Sequence, residues 1–224
     1  MSNLSFAQTA DGSQTIYNAE VGEYYHSRHG ALQESRHVFL HSGLRYFLEK
    51  DKATAVKVLE VGFGTGLNFL LSADYCLETN IQLHYTGIEA YPLPSEMISK
   101  TGYEEYVKAE TWSGFLNNYS GSFVKPVRIN RYTELEISPQ KLMDFTSETH
   151  YDVIFFDAFA ATYQPEMWTT EALSHICSFM KQGGVFVTYA ITGNLKRSMK
   201  ALGFSVEKAQ GAPGKREMLR AVKL

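Results

Sequence analysis

Three glycines stand at alternate positions in the segment Glu60–Asn68, between an apolar run and a helical pattern. Because glycine has no Cβ, Gly62, Gly64 and Gly66 allow the backbone to turn tightly and to approach a ligand closely. The helix that follows is expected to begin with free N–H groups, which can hydrogen-bond a ligand. The segment therefore predicts a binding loop for a nucleoside cofactor, with a ligand-free turn between strand and helix as the alternative.

The spacing of the glycines narrows the type of cofactor. A dinucleotide-binding loop requires a further glycine where this chain has Leu67, so a bound pyrophosphate is disfavoured. The pattern E-x-G-x-G-x-G resembles instead the first motif of S-adenosylmethionine methyltransferases. The residues of this motif that we assign to the cofactor are Glu60, Gly62, Gly64, Gly66 and Asn68.

Two acids that follow other apolar runs extend this site. Glu89 ends the predicted strand 83–89, where its carboxylate can accept hydrogen bonds from both hydroxyls of a ribose, and Asp157 follows the predicted strand 151–156. Ligands of open α/β sheets bind at the carboxyl ends of strands, so both acids are expected to face the cofactor. Asp157 is also the candidate catalytic residue, because a carboxylate can hold a protonated amine and take up its proton during methyl transfer. The alternative for Asp157 is a helix cap.

These side chains require a sheet with helices between its strands, and the sequence from Val56 onward predicts a Rossmann-like α/β domain of that kind. Strands are predicted over 56–61, 83–89, 127–132, 151–156, 184–190, 204–209 and 217–223. Helices are predicted over 66–77, 94–100, 103–118, 138–146, 165–181 and 193–202. The short turn 211–214 between the last two strands predicts a hairpin, so we expect a seven-stranded, mainly parallel sheet with an antiparallel last strand.

Residues 1–50 are expected to form a small appendage packed on this domain, which occupies 51–224, so that the chain is one compact unit. Within the appendage, the pair Asp11-Gly12 between two alternating segments predicts a β-hairpin. Apolar residues over 30–49 have helical spacing, which predicts one or two helices that act as a lid, with Gly43 as a possible break.

Composition limits the partners. The 224 residues suit one domain, and a net charge of −3 argues against a generally basic nucleic-acid binder, so any RNA contact needs a local patch. One candidate is the stretch from Lys196 onward, which contains eight basic residues, Lys196 included, and two acidic ones, although such a run is often a solvated face. No apolar run reaches membrane-spanning length, and Cys76 and Cys177 are isolated, so a cytoplasmic protein without a metal site is expected.

Several segments together resemble the bacterial methyltransferases that complete 5-methylaminomethyl-2-thiouridine, a modified wobble uridine of tRNA. The similar segments span nearly the whole chain and are Asp11–Ser13, Tyr25–Ser35, Glu60–Asn68, Asp157–Ala160, Pro165–Trp168 and Pro213–Met218. The resemblance implies transfer of a methyl group from S-adenosylmethionine to the primary amine of 5-aminomethyl-(2-thio)uridine. It also implies that the partner is the anticodon stem-loop of tRNA.

The resemblance implies roles for residues outside the glycine loop. The segment Tyr25–Ser35 is expected to close over the cofactor, with Tyr25 and Gln33 in contact with it. Arg28 in the same segment is a candidate for contact with the cofactor carboxylate or with RNA.

Four further residues are candidates for contact with RNA. Phe159 and Trp168 are suited to stacking on an unpaired uracil, since proteins hold such bases on aromatic faces, although Trp168 is equally suited to the core. Lys215 and Arg216 lie beside glycine residues and are candidates for phosphate contacts.

The chain also departs from the family pattern. Ala161 replaces a proline and Gln164 an asparagine, so we expect a less rigid acceptor loop. No acid for the adenine amino group is found over 129–133, which leaves the adenine contacts open. Many relatives carry a C-terminal flavin-dependent oxidase, for which this chain has no room, so methyl transfer without FAD is expected. The alternative functions are methylation of a small-molecule or protein amine, and a binding module without catalysis. The oligomeric state is left open.

Overall fold

The N-terminal residues form the predicted hairpin in a computed structural model that describes residues 3–224. Met1 and Ser2, which belong to the predicted appendage, lie outside the described residues. The turn of the hairpin contains Gly12 with a φ of 86°, a left-handed conformation that favours glycine. The strands of this small antiparallel sheet are β1 (Leu4–Gln8), β2 (Gln14–Asn18) and β3 (Glu23–Tyr24).

A second sheet forms the centre of the protein, and within residues 3–224 it has eight strands. They are β4 (Ala55–Val61), β5 (Gln82–Ile88), β6 (Val127–Asn130), β7 (Thr133–Ser138), β8 (Tyr151–Phe156), β9 (Met180–Thr188), β10 (Phe204–Gln210) and β11 (Glu217–Lys223). Their order across the sheet is β10-β11-β9-β8-β4-β5-β7-β6. Strands β4, β5, β7, β8 and β9 are parallel, and β11 is antiparallel to both its neighbours. The mainly parallel sheet with an antiparallel last strand is therefore confirmed.

The prediction was wrong over residues 127–146. The expected strand 127–132 is two antiparallel strands, β6 and β7, and the expected helix 138–146 contains only a 3-10 turn at Leu142–Asp144. In β7 the buried Thr133, Leu135 and Ile137 alternate with more exposed residues, which is the period of a strand and not of a helix. Because β7 pairs with β5, the sheet has one strand more than the sequence predicted.

The helices lie between the strands, close to most of the predicted positions. They are α1 (Ala31–Glu34), α2 (Tyr46–Asp51), α3 (Leu67–Thr79), α4 (Ser95–Ile98), α5 (Ala109–Asn118), α6 (Thr170–Ser178) and α7 (Gly193–Ala201). The predicted helix 165–181 is instead a 3-10 turn at Pro165–Trp168 followed by α6, which begins where the Thr169 hydroxyl accepts a hydrogen bond from Ala172 N. Within the described residues, no helix is long and apolar enough to span a bilayer.

Helices α1 and α2 are joined without a break by a π-helical segment, Ser35–Arg45. Gly43 lies inside it and does not interrupt the helix, contrary to the prediction. Its role is close packing, because a Cβ on Gly43 would lie 2.8 Å from both the Phe155 ring and a Val187 methyl group. This long helical segment therefore packs directly on β8 and β9.

Both faces of the central sheet are buried. Neighbouring residues of β4, Val58 and Leu59, belong to separate apolar clusters, as expected for side chains that alternate between two covered faces. The parallel strands all end at one edge of the sheet, which we call the carboxyl edge. Gly62, Glu89 and Asp157 follow β4, β5 and β8 at this edge, so the fold brings the predicted site residues together.

Candidate active site

A cavity of about 1210 Å³ opens at the carboxyl edge of the sheet. Ligand sites commonly measure about 300–1,000 Å³, so this cavity has room for a nucleoside cofactor together with an acceptor group. Acidic side chains outnumber basic ones among the described residues that line it. The acids are Glu20, Glu23, Glu34, Glu89, Asp144, Asp157 and Glu166, and the bases are Arg28, Lys141 and Lys215. This lining favours positively charged ligand groups.

The glycine loop is held by backbone contacts to the neighbouring strands. Gly62 has a φ of 82°, and its amide donates a hydrogen bond to the carbonyl of Ile88, 3.0 Å away. A Cβ on Gly62 would overlap the carbonyl oxygen of Asp157. A Cβ on Gly64, which has a φ of 52°, would lie 2.9 Å from the ring of Tyr25. Glycine is thus required at both positions by conformation and by space.

Glu89 is fixed by the glycine loop. Its two carboxylate oxygens each accept one backbone hydrogen bond, from Gly64 N and from Tyr91 N, both at 2.9 Å. A carboxylate oxygen has a further lone pair, so Glu89 can still accept two hydroxyl groups from the cavity. Burial raises the pKa of Glu89 above its ordinary value. The contact between Glu89 and a ribose stays a prediction.

Asn68 bridges two acids, the buried Glu60 and the half-buried Asp157. Its Nδ2 donates to Glu60 Oε1 and to Asp157 Oδ2, both at 2.8 Å, and the Tyr85 hydroxyl donates to the other oxygen of Glu60. The side-chain oxygen of Asn68 is buried and has no hydrogen-bond partner among the described residues. A buried acceptor left in this state is unfavourable. Because Asn68 lines the cavity, a donor group of a bound ligand would complete it.

Asp157 lies between the glycine loop and the segment Ala158–Gln164, which we call the acceptor loop. Burial and the nearby charge of Glu34 raise the pKa of Asp157 to about 8, against the hydrogen bond from Asn68 and the charge of Lys215, which lower it. Burial, and the charge of Asp157, also raise the pKa of Glu60. A carboxyl group whose pKa is near neutrality can both donate and accept a proton under physiological conditions.

The N-terminal appendage covers the glycine loop. The ring of Tyr25 packs edge to face on Phe159, with 5.3 Å between centroids, so it contacts both loops of the cavity. His26 hydrogen-bonds Thr15 of β2 at 3.1 Å and Thr65 of the glycine loop at 3.4 Å. Burial lowers the pKa of His26 to about 4, which keeps the ring neutral. His26 therefore ties the appendage to the loop.

A partly buried ion pair that the sequence did not predict forms one wall of the cavity. Glu34 accepts hydrogen bonds from Lys215 Nζ at 3.0 Å and from Ser27 N at 2.9 Å. The Lys215 ammonium also lies 3.9 Å from the centroid of the Tyr189 ring. Lys215, a candidate for RNA phosphate, is thus engaged inside the protein. Gln33, the predicted cofactor contact beside Glu34, is exposed and lies outside the cavity lining.

The acceptor loop is held by side chains. Gln164 Oε1 accepts a hydrogen bond from Phe159 N at 3.2 Å, and Trp168 Nε1 donates to Phe159 O at 2.8 Å. The hydrogen bond of Gln164 thereby joins the two ends of the acceptor loop, in which Ala161 stands where the family pattern has a proline. Phe159 lines the cavity, whereas the Trp168 ring packs edge to face on Phe156, with 5.1 Å between centroids, behind it.

The remaining predicted residues lie at or outside the rim. Arg28 is exposed at the cavity, with its guanidinium 5.5 Å from the centroid of the Tyr24 ring, and Arg216 is exposed outside the lining. Residues 140–144, after β7, line the cavity but were missed because β7 was not recognised. This segment contains an acid, Asp144, which lies beyond residues 129–133, where the sequence predicted no acid for an adenine. The alternation over 133–138 was the available signal.

Comparison with known proteins identifies the family to which the chain belongs. A family model described as S-adenosyl-L-methionine-dependent methyltransferase matches residues 107–224, more than half of the chain. The chain is also similar to tRNA 5-methylaminomethyl-2-thiouridine biosynthesis bifunctional proteins MnmC. The protein of Methylobacillus flagellatus is 29% identical over 220 residues, which cover 91% of this chain and 33% of the relative. That of Magnetococcus marinus is 30% identical over 235 residues, which cover 98% and 35%.

The chain thus spans about a third of the length of the curated relatives it matches. Among solved structures, MnmC2 from Aquifex aeolicus has a TM-score of 0.78 at 24% identity, covering 99% of this chain and 71% of that one. The sugar N-methyltransferase KedS8 from Streptoalloteichus has a TM-score of 0.50 at 13% identity, covering 85% and 87%. These likenesses confirm the Rossmann-like fold, and the curated relatives confirm the resemblance found in the sequence.

Proposed function

The chain belongs to the S-adenosyl-L-methionine-dependent methyltransferases, and we propose that it methylates the primary amine of 5-aminomethyl-(2-thio)uridine at the wobble position of tRNA. The observation that carries the proposal is the place of Asp157, a half-buried acid with a raised pKa at the junction of the glycine loop and the acceptor loop. A carboxyl group at this place is suited to an amine acceptor, because it can hold the protonated amine and take up its proton. The name of the MnmC relatives supports the choice of this uridine as its bearer.

The family membership confirms the cofactor that the glycine loop predicted. S-adenosyl-L-methionine supplies a methyl group on a positively charged sulfur, and the acid-rich lining suits that charge. Glu89 has lone pairs left for the ribose hydroxyls, and Asn68 has a buried oxygen that needs a donor. In the proposed site Gly62 and Gly64 bring the backbone close to the cofactor, and Tyr25 covers it.

The role proposed for Asp157 follows from the charge of the acceptor. A primary amine is largely protonated at neutral pH and must lose a proton before its nitrogen can attack. Ionised Asp157 holds the ammonium group in the cavity and takes up that proton. With that proton on Asp157, the nitrogen lone pair would be free to take the methyl group that the cofactor supplies, and the positive charge would pass from the sulfur to the methylated nitrogen. Asn68, which donates to Asp157, keeps the carboxylate oriented.

The acceptor loop is proposed to hold the base. Proteins that modify or read unpaired RNA bases hold them between aromatic side chains. Phe159 lines the cavity beside Asp157, with its backbone fixed at both ends by Gln164 and Trp168. Tyr163, on the same loop, is 45% exposed and lines the cavity, so its ring is free to stack on the uracil or on a neighbouring base. Trp168 supports Phe159 from behind.

The test uses the purified chain, labelled S-adenosyl-L-methionine and tRNA from cells that cannot complete the wobble modification. Mass spectrometry of the digested RNA is expected to detect the methylaminomethyl uridine, absent with Gly64→Arg and strongly reduced with Asp157→Ala. Cofactor binding without transfer to tRNA would overturn the proposal. Transfer to free amines in that case would identify a small-molecule or protein amine as the acceptor.

A further inference from the structure

Helix α7 presents a row of basic side chains to solvent. Leu195 and Met199 are buried against the core, and Lys196, Arg197 and Lys200 lie on the opposite side, where Arg197 and Lys200 are exposed and Lys196 is half-buried. Their spacing places the three cations within about 100° around the helix axis. The helix contains no acidic residue. We call these three residues the α7 face.

The cations of the α7 face differ from the other basic residues near the C-terminus. Most of the others have partners inside the protein: Lys208 pairs with Glu217, Lys215 with Glu34, Arg220 with Glu207, and Lys223 donates to two backbone carbonyls. In the part of the chain that the structure describes, none of the three cations of the α7 face forms an ion pair. The α7 face thus differs from the paired cations of the basic run in lacking an acidic partner, although Arg197 donates a hydrogen bond to the Asn194 side chain.

The α7 face begins beside the acceptor loop. Tyr189, which follows β9, lines the cavity, and α7 starts four residues later at the same edge of the sheet. The hydroxyls of Ser198 and Thr170 hydrogen-bond at 2.9 Å, so α7 packs against the start of α6. Helix α6 itself follows the turn Pro165–Trp168 that ends the acceptor loop. Helix α7 is therefore the element next to α6 beyond the acceptor loop, so an RNA chain that leaves the cavity on this side would pass α7.

Charge determines where a nucleic-acid backbone can run. The rim of the cavity carries the exposed acids Glu20, Asp144 and Glu166, which repel phosphates. The chain as a whole has a net charge of −3, so RNA binding needs a local cluster of cations. The α7 face supplies such a cluster next to the loop that faces the acceptor.

We infer that the α7 face binds the phosphate backbone of the RNA strand that carries the acceptor amine. The inference rests on the proposed function for its acceptor, but the binding step is independent of methyl transfer. Lys196, Arg197 and Lys200 act by charge and contribute affinity for RNA, while the acid-rich cavity selects the amine. Binding therefore weakens with salt, because bound phosphates release counterions.

The experiment compares the parent chain with Lys196→Gln/Arg197→Gln/Lys200→Gln. The probe is a synthetic RNA stem-loop with 5-aminomethyluridine in its loop, titrated at several salt concentrations. The variant is expected to bind about 10-fold or more weakly, and its slope of log K against log salt is expected to be shallower by about 2, from three phosphate contacts of about 0.7 each. The Kd for S-adenosyl-L-methionine and the kcat at saturating RNA stay unchanged.

A matched control removes the same charge at the opposite edge of the sheet, with Lys50→Gln/Lys52→Gln/Arg131→Gln. These exposed residues lie outside the cavity lining, and this variant is expected to bind the RNA as the parent does. Equal losses in both variants, or no loss in either, would overturn the inference. A parent that binds the RNA in this pattern but transfers no methyl group would refute the proposed function alone, and a parent that does not bind would refute both.

Discussion

At the glycine-loop end of the cavity the chain is positioned by its backbone, whereas at the acceptor-loop end it is positioned by side chains. Gly62 N bonds a strand carbonyl, and Glu89 is held by two amides. In contrast, the side chains of Gln164 and Trp168 fix the backbone of Phe159 in the acceptor loop, whose backbone hydrogen bonds, from Tyr163 N and Gln164 N to Ala160 O, lie within the loop itself. Any side chain added to the first end meets backbone or ring atoms, but the second end already bears an exposed ring, Tyr163.

This difference separates the residues proposed to bind the cofactor from the residues proposed to bind the acceptor. The glycine-loop end, where we propose that the cofactor binds, depends on a conformation that only glycine adopts without strain. The glycines of this loop therefore cannot be replaced without changing the loop. The acceptor end depends on a few side-chain hydrogen bonds, and other residues can supply these. Ala161 and Gln164, which depart from the family pattern, both lie at this end. Changes at the two ends are therefore expected to affect different measurements.

The largest effect is expected from Gly62→Ala. Its Cβ would overlap the Asp157 carbonyl, which displaces the loop and lowers affinity for S-adenosyl-L-methionine more than about 100-fold. The control is Gly203→Ala, with a similar φ of 86° but no atom within 4 Å of its Cβ. That variant is expected to lose about 1–2 kcal/mol of stability and no affinity. Calorimetric titration and thermal unfolding measure both, and equal affinity losses would contradict the account.

Asn68→Ala is expected to weaken cofactor binding about 10- to 100-fold, because Glu60 and Asp157 lose their shared donor and the cavity loses an acceptor. Tyr85→Phe removes a hydrogen bond to Glu60 without touching Asp157. Because it leaves a buried oxygen of Glu60 without a donor, it should lower the unfolding free energy by about 1–3 kcal/mol, while cofactor affinity stays within about twofold. The same affinity in both variants would show that the bridge to Asp157 is irrelevant to binding.

Tyr163→Ala is expected to raise the KM for RNA about 10-fold through lost stacking, with kcat and cofactor affinity unchanged. Tyr163→Phe keeps the ring and should behave as the parent. Tyr91, 72% exposed at the cofactor end of the cavity, provides the contrast, since Tyr91→Ala should leave the KM for RNA unaltered. The KM values are measured by steady-state kinetics with the RNA stem-loop. A raised KM in Tyr91→Ala alone would show that the RNA contacts the glycine-loop end of the cavity and not the acceptor-loop end.

The smallest effect is a pH dependence that Asp157 imposes on the cofactor end. A bound sulfonium favours ionised Asp157, so binding releases a proton and affinity rises several-fold as pH approaches the pKa of about 8. Asp157→Asn should abolish this rise. The folded-state pKa lies above the ordinary value, so the stability linked to this proton is present at low pH and lost as pH rises through about 8. Between the ordinary pKa of 3.8 and about 8, the unfolding free energy of the parent should therefore fall relative to that of Asp157→Asn. Parallel curves of unfolding free energy against pH for the two proteins would refute the raised pKa.

Local patterns in the sequence predicted which residues meet at the glycine-loop end of the cavity. The glycine spacing and the acids after β5 and β8 depend on residues close in sequence, and the parallel sheet brings strand ends together whatever the details of packing. The alternation over 133–138 was also readable, but the strand was missed because the predicted strand ended at residue 132 and the next predicted element was a helix from residue 138, so residues 133–137 were assigned to neither.

The contacts that sequence could not predict are long-range. Lys215 and Glu34 are 181 positions apart, and nothing near either residue indicates the other. Basic residues near the C-terminus therefore looked alike, although some are paired internally and those of α7 are not. Likewise, only packing shows that Trp168 supports Phe159 and that Tyr163 is the exposed ring. Side-chain roles at the acceptor end thus required the structure.

The most direct test of the central claim asks which group receives the methyl. Three synthetic RNA stem-loops, identical except for 5-aminomethyluridine, 5-hydroxymethyluridine or uridine in the loop, are incubated with the chain and labelled S-adenosyl-L-methionine. Mass spectrometry is expected to place one methyl group on the amine nitrogen of the first RNA and none on the others. Equal transfer to the hydroxymethyl RNA, or methylation of a ring or ribose position, would contradict the account.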